Sequence, residues 1–180
     1  MIFFGHLGIT TGVIKTYEKI AYKDKDLNSE VAIDYRVVLL GSILPDIIDK
    51  PIGAYLFRST FHNSRIFAHT LLFSVLLMLI GLYMVYKRRK SNVLLLGICT
   101  SIHLVLDSMW LYPGILFWPY FGWGFPVRPE GNWVQSDIVS LVTDPSYYLP
   151  ELIGFIIITY YFIRLVKKRQ VKAFIREGKL

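Results

Sequence analysis

His103 and Asp107 stand four residues apart in "HLVLD", inside an otherwise apolar run. On a helix that spacing puts both side chains on one face, with Cβ atoms roughly 5–6 Å apart. An imidazole and a carboxylate so placed can share a divalent ion or bridge two. They can also form a buried hydrogen-bonded pair between helices. Ionisable groups in a membrane-type segment are costly and mark function by default, so metal ligation is the stronger reading. Three more candidate ligands lie in other apolar segments: His6 in "FFGHLGIT", Asp46 in "LPDIIDKP" and His69 in "RIFAHTLLF". Each has a plainer alternative. His6 can be a packed histidine, Asp46 a helix cap and His69 an interfacial histidine.

Around these stand residues for supporting roles. Asp49 can act as a base or orient a ligand, or pair with Lys50. Arg65, four residues before His69, can clamp an anionic substrate group or anchor at a headgroup. Glu151 repeats the i, i+4 spacing with Tyr147; it can be a base or ligand, or favour a helix start after Pro150. His62 reads as solvated. Cys99, the lone cysteine, lies in apolar surroundings that keep a thiol protonated and inert. No Gly-rich phosphate loop, G-x-S-x-G elbow or H-E-x-x-H occurs.

The elements that must position these groups are membrane-like. Of 180 residues, 54% are hydrophobic and only 18% charged, which departs from soluble domains towards membrane proteins. The net charge of +7 is gathered at the ends of apolar runs, "YKRRK" at 86–90 and "RLVKKRQVK" at 164–172. That is an anchoring pattern rather than a nucleic-acid groove, so no nucleic-acid partner is expected. The start, "MIFFGHLGITTGVIK", lacks the features of a cleaved signal and reads as part of the mature fold. The expected fold is an all-α integral membrane bundle in one domain, residues 1–180. It has about five apolar segments, at 2–14, 37–56, 66–86, 93–112 and 152–166. The second is expected to break between Pro45 and Pro51, because each proline removes a backbone donor. Residues 23–34 read as a solvated connector, 113–149 as a long aromatic loop region at headgroup level, and 167–180 as a basic cytoplasmic tail.

Excess Lys and Arg on cytoplasmic connections orients this layout with the start outside. His6, Asp46, His69, Asp107 and Glu151, from five segments, then fall at one outer level, with His103 one turn deeper.

The stretches "GHLGIT" (5–10), "LPDIIDKP" (44–51), "RIFAHTLLF" (65–73), "HLVLDSMWLYPG" (103–114) and "FWP" (117–119) resemble, in order, the membrane-bound metal-dependent hydrolases of the LexA-regulated type. The resemblance implies metal ligands at His6, Asp46, His69, His103 and Asp107. The ligand order is also distantly similar to that of the all-helical, zinc-dependent bacterial phospholipase C. Tyr147 departs from it, standing where a histidine would precede Glu151, and Ser64 stands where some members of the hydrolase family carry a histidine. One or two ions, zinc first, are expected rather than three. The expected activity is hydrolysis of a lipid or lipid-linked phosphoester by metal-activated water. The alternative is a transporter or ion-binding protein using the same cluster. The residues leave substrate and oligomeric state open.

Overall fold

The computed structural model describes residues 3–21, 33–129, 131 and 133–180. Most of the connector expected at 23–34 therefore lies outside the described residues. The fold is all-helical among them. Five longer helices form the body: α1 (Phe4–Ala21), α2 (Tyr35–Asp49), α4 (Leu71–Arg88), α5 (Asn92–Leu106) and α8 (Pro145–Lys167). Shorter helices α3 (Arg58–Phe61), α6 (Pro113–Leu116), α7 (Trp133–Thr143) and α9 (Val171–Glu177) fill the connections.

Polarity runs opposite to that of a soluble core. Thr10, Ser42, Ser74, Thr100 and three histidines are fully buried, while Leu76, Leu79, Ile80, Leu82, Ile153, Phe155 and Ile156 face outward. Without water there is no hydrophobic drive between helices, so small and polar residues make the interhelical contacts and apolar ones meet lipid. A helix of 18 residues spans ~27 Å, close to the ~30 Å of a bilayer core. Two of the described helices, α4 and α8, are long and apolar enough to cross a membrane. The other apolar segments form shorter or less uniformly apolar helices.

Close backbone approaches set the packing. A Cβ on Gly8 would fall within the backbone of Gly154, and one on Gly154 would meet Phe4 and Gly5. These two glycines let α1 and α8 cross in contact, side by side and in the same direction. Gly81 against Leu94 and Gly97 against Met78 close the antiparallel pair α4–α5. Gly41 faces Cys99 and Leu96 where α2 runs parallel to α5. The outcome is one end of the bundle that gathers the start of α1, the end of α2, the approach to α4, the end of α5 and the start of α8. At the other end Asp34 caps α2 by accepting from Arg36 N at 3.0 Å. Hydrogen bonds with the Arg36 side chain and backbone hold the Asp34 carboxyl below its ordinary range. The tail folds back there, with Tyr35 N donating to Gly178 O at 2.8 Å.

The interruption expected between Pro45 and Pro51 is present: helix α2 runs through Pro45 and ends at Asp49, and the chain then widens into a π-helical turn, Lys50–Leu56, with Pro51 near its start. Pro45 deprives only the carbonyl of Gly41 of its donor, and a helix absorbs one such loss when the turn is packed. The third apolar segment becomes helical at Leu71, where Thr70 Oγ1 accepts from Phe73 N at 3.1 Å. The region 113–149 is not one loop: it contains α6, α7 and the start of α8, and the basic tail contains α9.

Candidate metal centre

Each histidine is held by a different element. His6 lies in the first turn of α1, His103 near the end of α5, and His69 in the turn before α4; all three are fully buried. Asp49 makes that turn. Its carboxylate accepts from Ile66 N at 2.8 Å, Ala68 N at 3.0 Å and His69 N at 3.0 Å. The same carboxylate lies 2.7 Å from His69 Nδ1. Lys50 does not pair with it; Lys50 Nζ reaches back one turn to Asp46 Oδ2 at 2.7 Å.

Two tautomers follow from these partners. His103 Nδ1 lies 2.7 Å from the carbonyl of Ser42. A carbonyl only accepts, so Nδ1 carries the proton and Nε2 of the neutral ring offers a lone pair. His69 Nδ1 likewise donates to Asp49, so in the neutral ring its Nε2 offers a lone pair. These two Nε2 atoms face each other at 3.4 Å. Asp46 Oδ1 is 3.5 Å from His69 Nε2. Asp107, which ends α5, places Oδ2 3.9 Å from His69 Nε2 and Oδ1 3.2 Å from His6 Nε2. The His6 ring stacks on His103 at 4.0 Å between centroids. Despite its closeness to Asp107, neither His6 nitrogen completes a hydrogen bond among the described residues.

Buried acceptors turned on one another repel unless a cation lies among them. Spacing provides a second test. A tetrahedral ion with ligands at roughly 2.0–2.1 Å needs its ligand atoms roughly 3.3–3.4 Å apart. The separations of 3.4 Å (His69–His103), 3.5 Å (His69–Asp46) and 3.2 Å (His6–Asp107) sit around that value. Two groups bring their ligand atoms within 4.8 Å of one another, His6–Asp46–His103 and His69–His103–Asp107, and they share His103. The residues present therefore fit one ion or an adjoining pair.

The model of the YdjM inner membrane protein family matches residues 1–171. The chain belongs to that family. No curated protein and no solved structure matches it. Membership places this YdjM family chain in a cell membrane, in accord with the outward apolar faces of α4 and α8. All five expected ligands come together in it, at one end of the bundle.

The remaining expected residues divide. Arg65 joins the cluster's edge, with Nη2 2.8 Å from Asp107 Oδ2 and its guanidinium 5.6 Å from the Tyr112 ring centre. Asp49 adjoins the cluster through His69 and has its oxygens taken up by N–H groups. Glu151 serves the start of α1: its two oxygens accept from Phe3 N at 3.0 Å and Phe4 N at 2.7 Å. A cavity of about 270 Å³ opens beside Asp46 and Asp107; Lys50, Arg65, Arg128 and Tyr147 also line it. His62 lies at a neighbouring surface cavity with Arg58 and Arg128. Sequence reading passed over Lys50 and Arg128 as site residues. For Lys50 a signal existed, the i, i+4 spacing from Asp46; Arg128, on a distant loop, carried none.

Proposed function

We propose that this membrane protein is a metal-dependent hydrolase acting on a phosphoester of a lipid or lipid-linked compound. The observation that carries the reading is the convergence of ligand-type side chains of His6, Asp46, His69, His103 and Asp107 beside a cavity lined by both cations and carboxylates. A divalent ion held by these five, zinc by the donor types, would lower the pKa of water and stabilise charge developing on phosphorus oxygens. The chain's own residues do the positioning. Asp49 fixes the tautomer and aim of His69, and the Ser42 carbonyl does the same for His103. Arg65 lies where a phosphoryl oxygen can take its second amine group. The three histidines are fully buried, and burial strengthens each of these interactions. The basic residues of 87–90 and 167–169 lie at the end of the bundle away from the cluster. By the positive-inside bias that end is cytoplasmic and the site extracytoplasmic.

The test uses protein purified in detergent. Metal is counted by mass spectrometry, and lipid phosphoesters are assayed in mixed micelles with and without chelator. One or two ions per chain, lost in Asp107→Ala, together with chelator-sensitive hydrolysis, are expected. A content far below one ion, unchanged by Asp107→Ala, sinks the metal reading. Metal flux in proteoliposomes without hydrolysis makes the protein a transporter instead.

A further inference from the structure

Among the described residues, six ionisable groups other than tyrosines line the cavity beside the cluster: Asp46, Asp107 and Asp137 against Lys50, Arg65 and Arg128. Two of the carboxylates are divided between cluster and cavity. Asp46 turns Oδ1 to His69 Nε2 at 3.5 Å and Oδ2 to Lys50 Nζ at 2.7 Å. Asp107 turns Oδ1 to His6 Nε2 at 3.2 Å and Oδ2 to Arg65 Nη2 at 2.8 Å. Inner oxygens face histidines, and outer oxygens hold cations at the cavity wall. Arg128 is held apart from the cluster, with Nη1 donating to Ser64 Oγ and Nη2 to Asp137 Oδ1, each at 3.1 Å.

Among the described residues three carboxylates thus face three cations, which leaves those six groups with no net charge to draw an anion. Two positive charges at the inner oxygens would change the balance, because a bound divalent ion is the largest local charge in such a site. They would also draw on the same carboxylates that now neutralise Lys50 and Arg65. We propose that the cavity is a phosphoryl-binding subsite gated by the metal: Lys50, Arg65 and Arg128 hold a phosphate-type dianion only when the cluster is loaded. The proposal rests on the metal reading above and adds to it Lys50, Arg128 and an order, metal before anion. The volume of about 270 Å³ lies just below the usual ligand-site range of roughly 300–1,000 Å³. It suits a headgroup-sized group and not a whole lipid.

Shared carboxylates impose opposite signs on one substitution. Lys50→Gln or Arg65→Gln removes a donor to the anion and also a competitor of the metal. Calorimetric titration of the full chain in detergent, with zinc or with chelator, reads both. Methylphosphonate and dihexanoyl phosphatidic acid serve as the anions. Binding is expected with zinc and not with chelator. Each variant is expected to bind the anion about tenfold more weakly or worse, the usual worth of a hydrogen bond to a charged group, with zinc affinity retained or raised. Preference for the lipid assigns the source to a headgroup; equal binding assigns it to a soluble phosphate ester. Zinc binding with anion affinity indifferent to zinc overturns the gating alone. Parallel loss of zinc and anion in both variants overturns it too, since that is a damaged fold. A chain that takes no zinc overturns this proposal together with the hydrolase reading.

Discussion

His69 and His103 each commit one ring nitrogen to a fixed acceptor, and this gives the other nitrogen its direction. Asp49 is the strongest such device, because one carboxylate both folds the turn at 66–69 and holds the ring. Asp49→Asn keeps the size and replaces an acceptor by an N–H₂ that faces other donors. Metal affinity, read by chelator competition, is expected to fall about 10- to 100-fold, as for other lost ligand-orienting partners. Glu151 calls for the opposite result. It accepts from the first N–H groups of α1, so Glu151→Gln is expected to destabilise by ~1 kcal/mol and leave metal content unchanged. A fall in metal content would return Glu151 to the ligand set. At this scale the residue types were readable from the sequence. Their roles were less so, because Asp49 finds its partners 17–20 residues away, and Glu151 finds its own across 147 and 148.

Helices matter here through where they end. All five candidate ligands sit within a turn or so of a helix terminus or in a turn, so a small shift of one helix dismantles the cluster. Gly154→Ala tests this. The added methyl would meet Phe4 and Gly5, next to His6. Such overpacking costs about 1–3 kcal/mol and is expected to lower both the melting temperature in detergent and the bound metal. A stable variant with full metal content would show that α1 can shift without cost to the site. Apolar runs located the five longer helices, but their ends were read less well. Helix α4 begins later than its apolar run because Asp49, from another helix, captures the N–H groups that would have opened it. Helix α7 was missed because "WVQSDIVSLVT" mixes polar and β-branched residues, which are weak helix formers.

The whole molecule has two unlike ends, one with the cluster, the other with the basic residues and the folded-back tail. A membrane senses this difference through the positive-inside bias. Ser59 and Lys90 are both exposed and lie towards opposite ends. The native thiol, Cys99, is buried, so engineered cysteines report cleanly. In intact cells Ser59→Cys is expected to react with a membrane-impermeant maleimide, and Lys90→Cys only after permeabilisation. The reverse pattern would place the site on the cytoplasmic side.

The sequence by itself determined the class and the parts. Apolar runs of helical length dictate a membrane helical protein, and His and Asp within them name the candidate ligands, because composition and spacing are local properties. Tertiary structure alone decided what the parts do together. That the Nε2 atoms of His69 and His103 face each other depends on acceptors from α2, and that Asp46 and Asp107 divide their oxygens between histidines and cavity cations depends on four separate segments. Such directions are set by contacts across tens of residues, and periodicity along one helix carries no information about them.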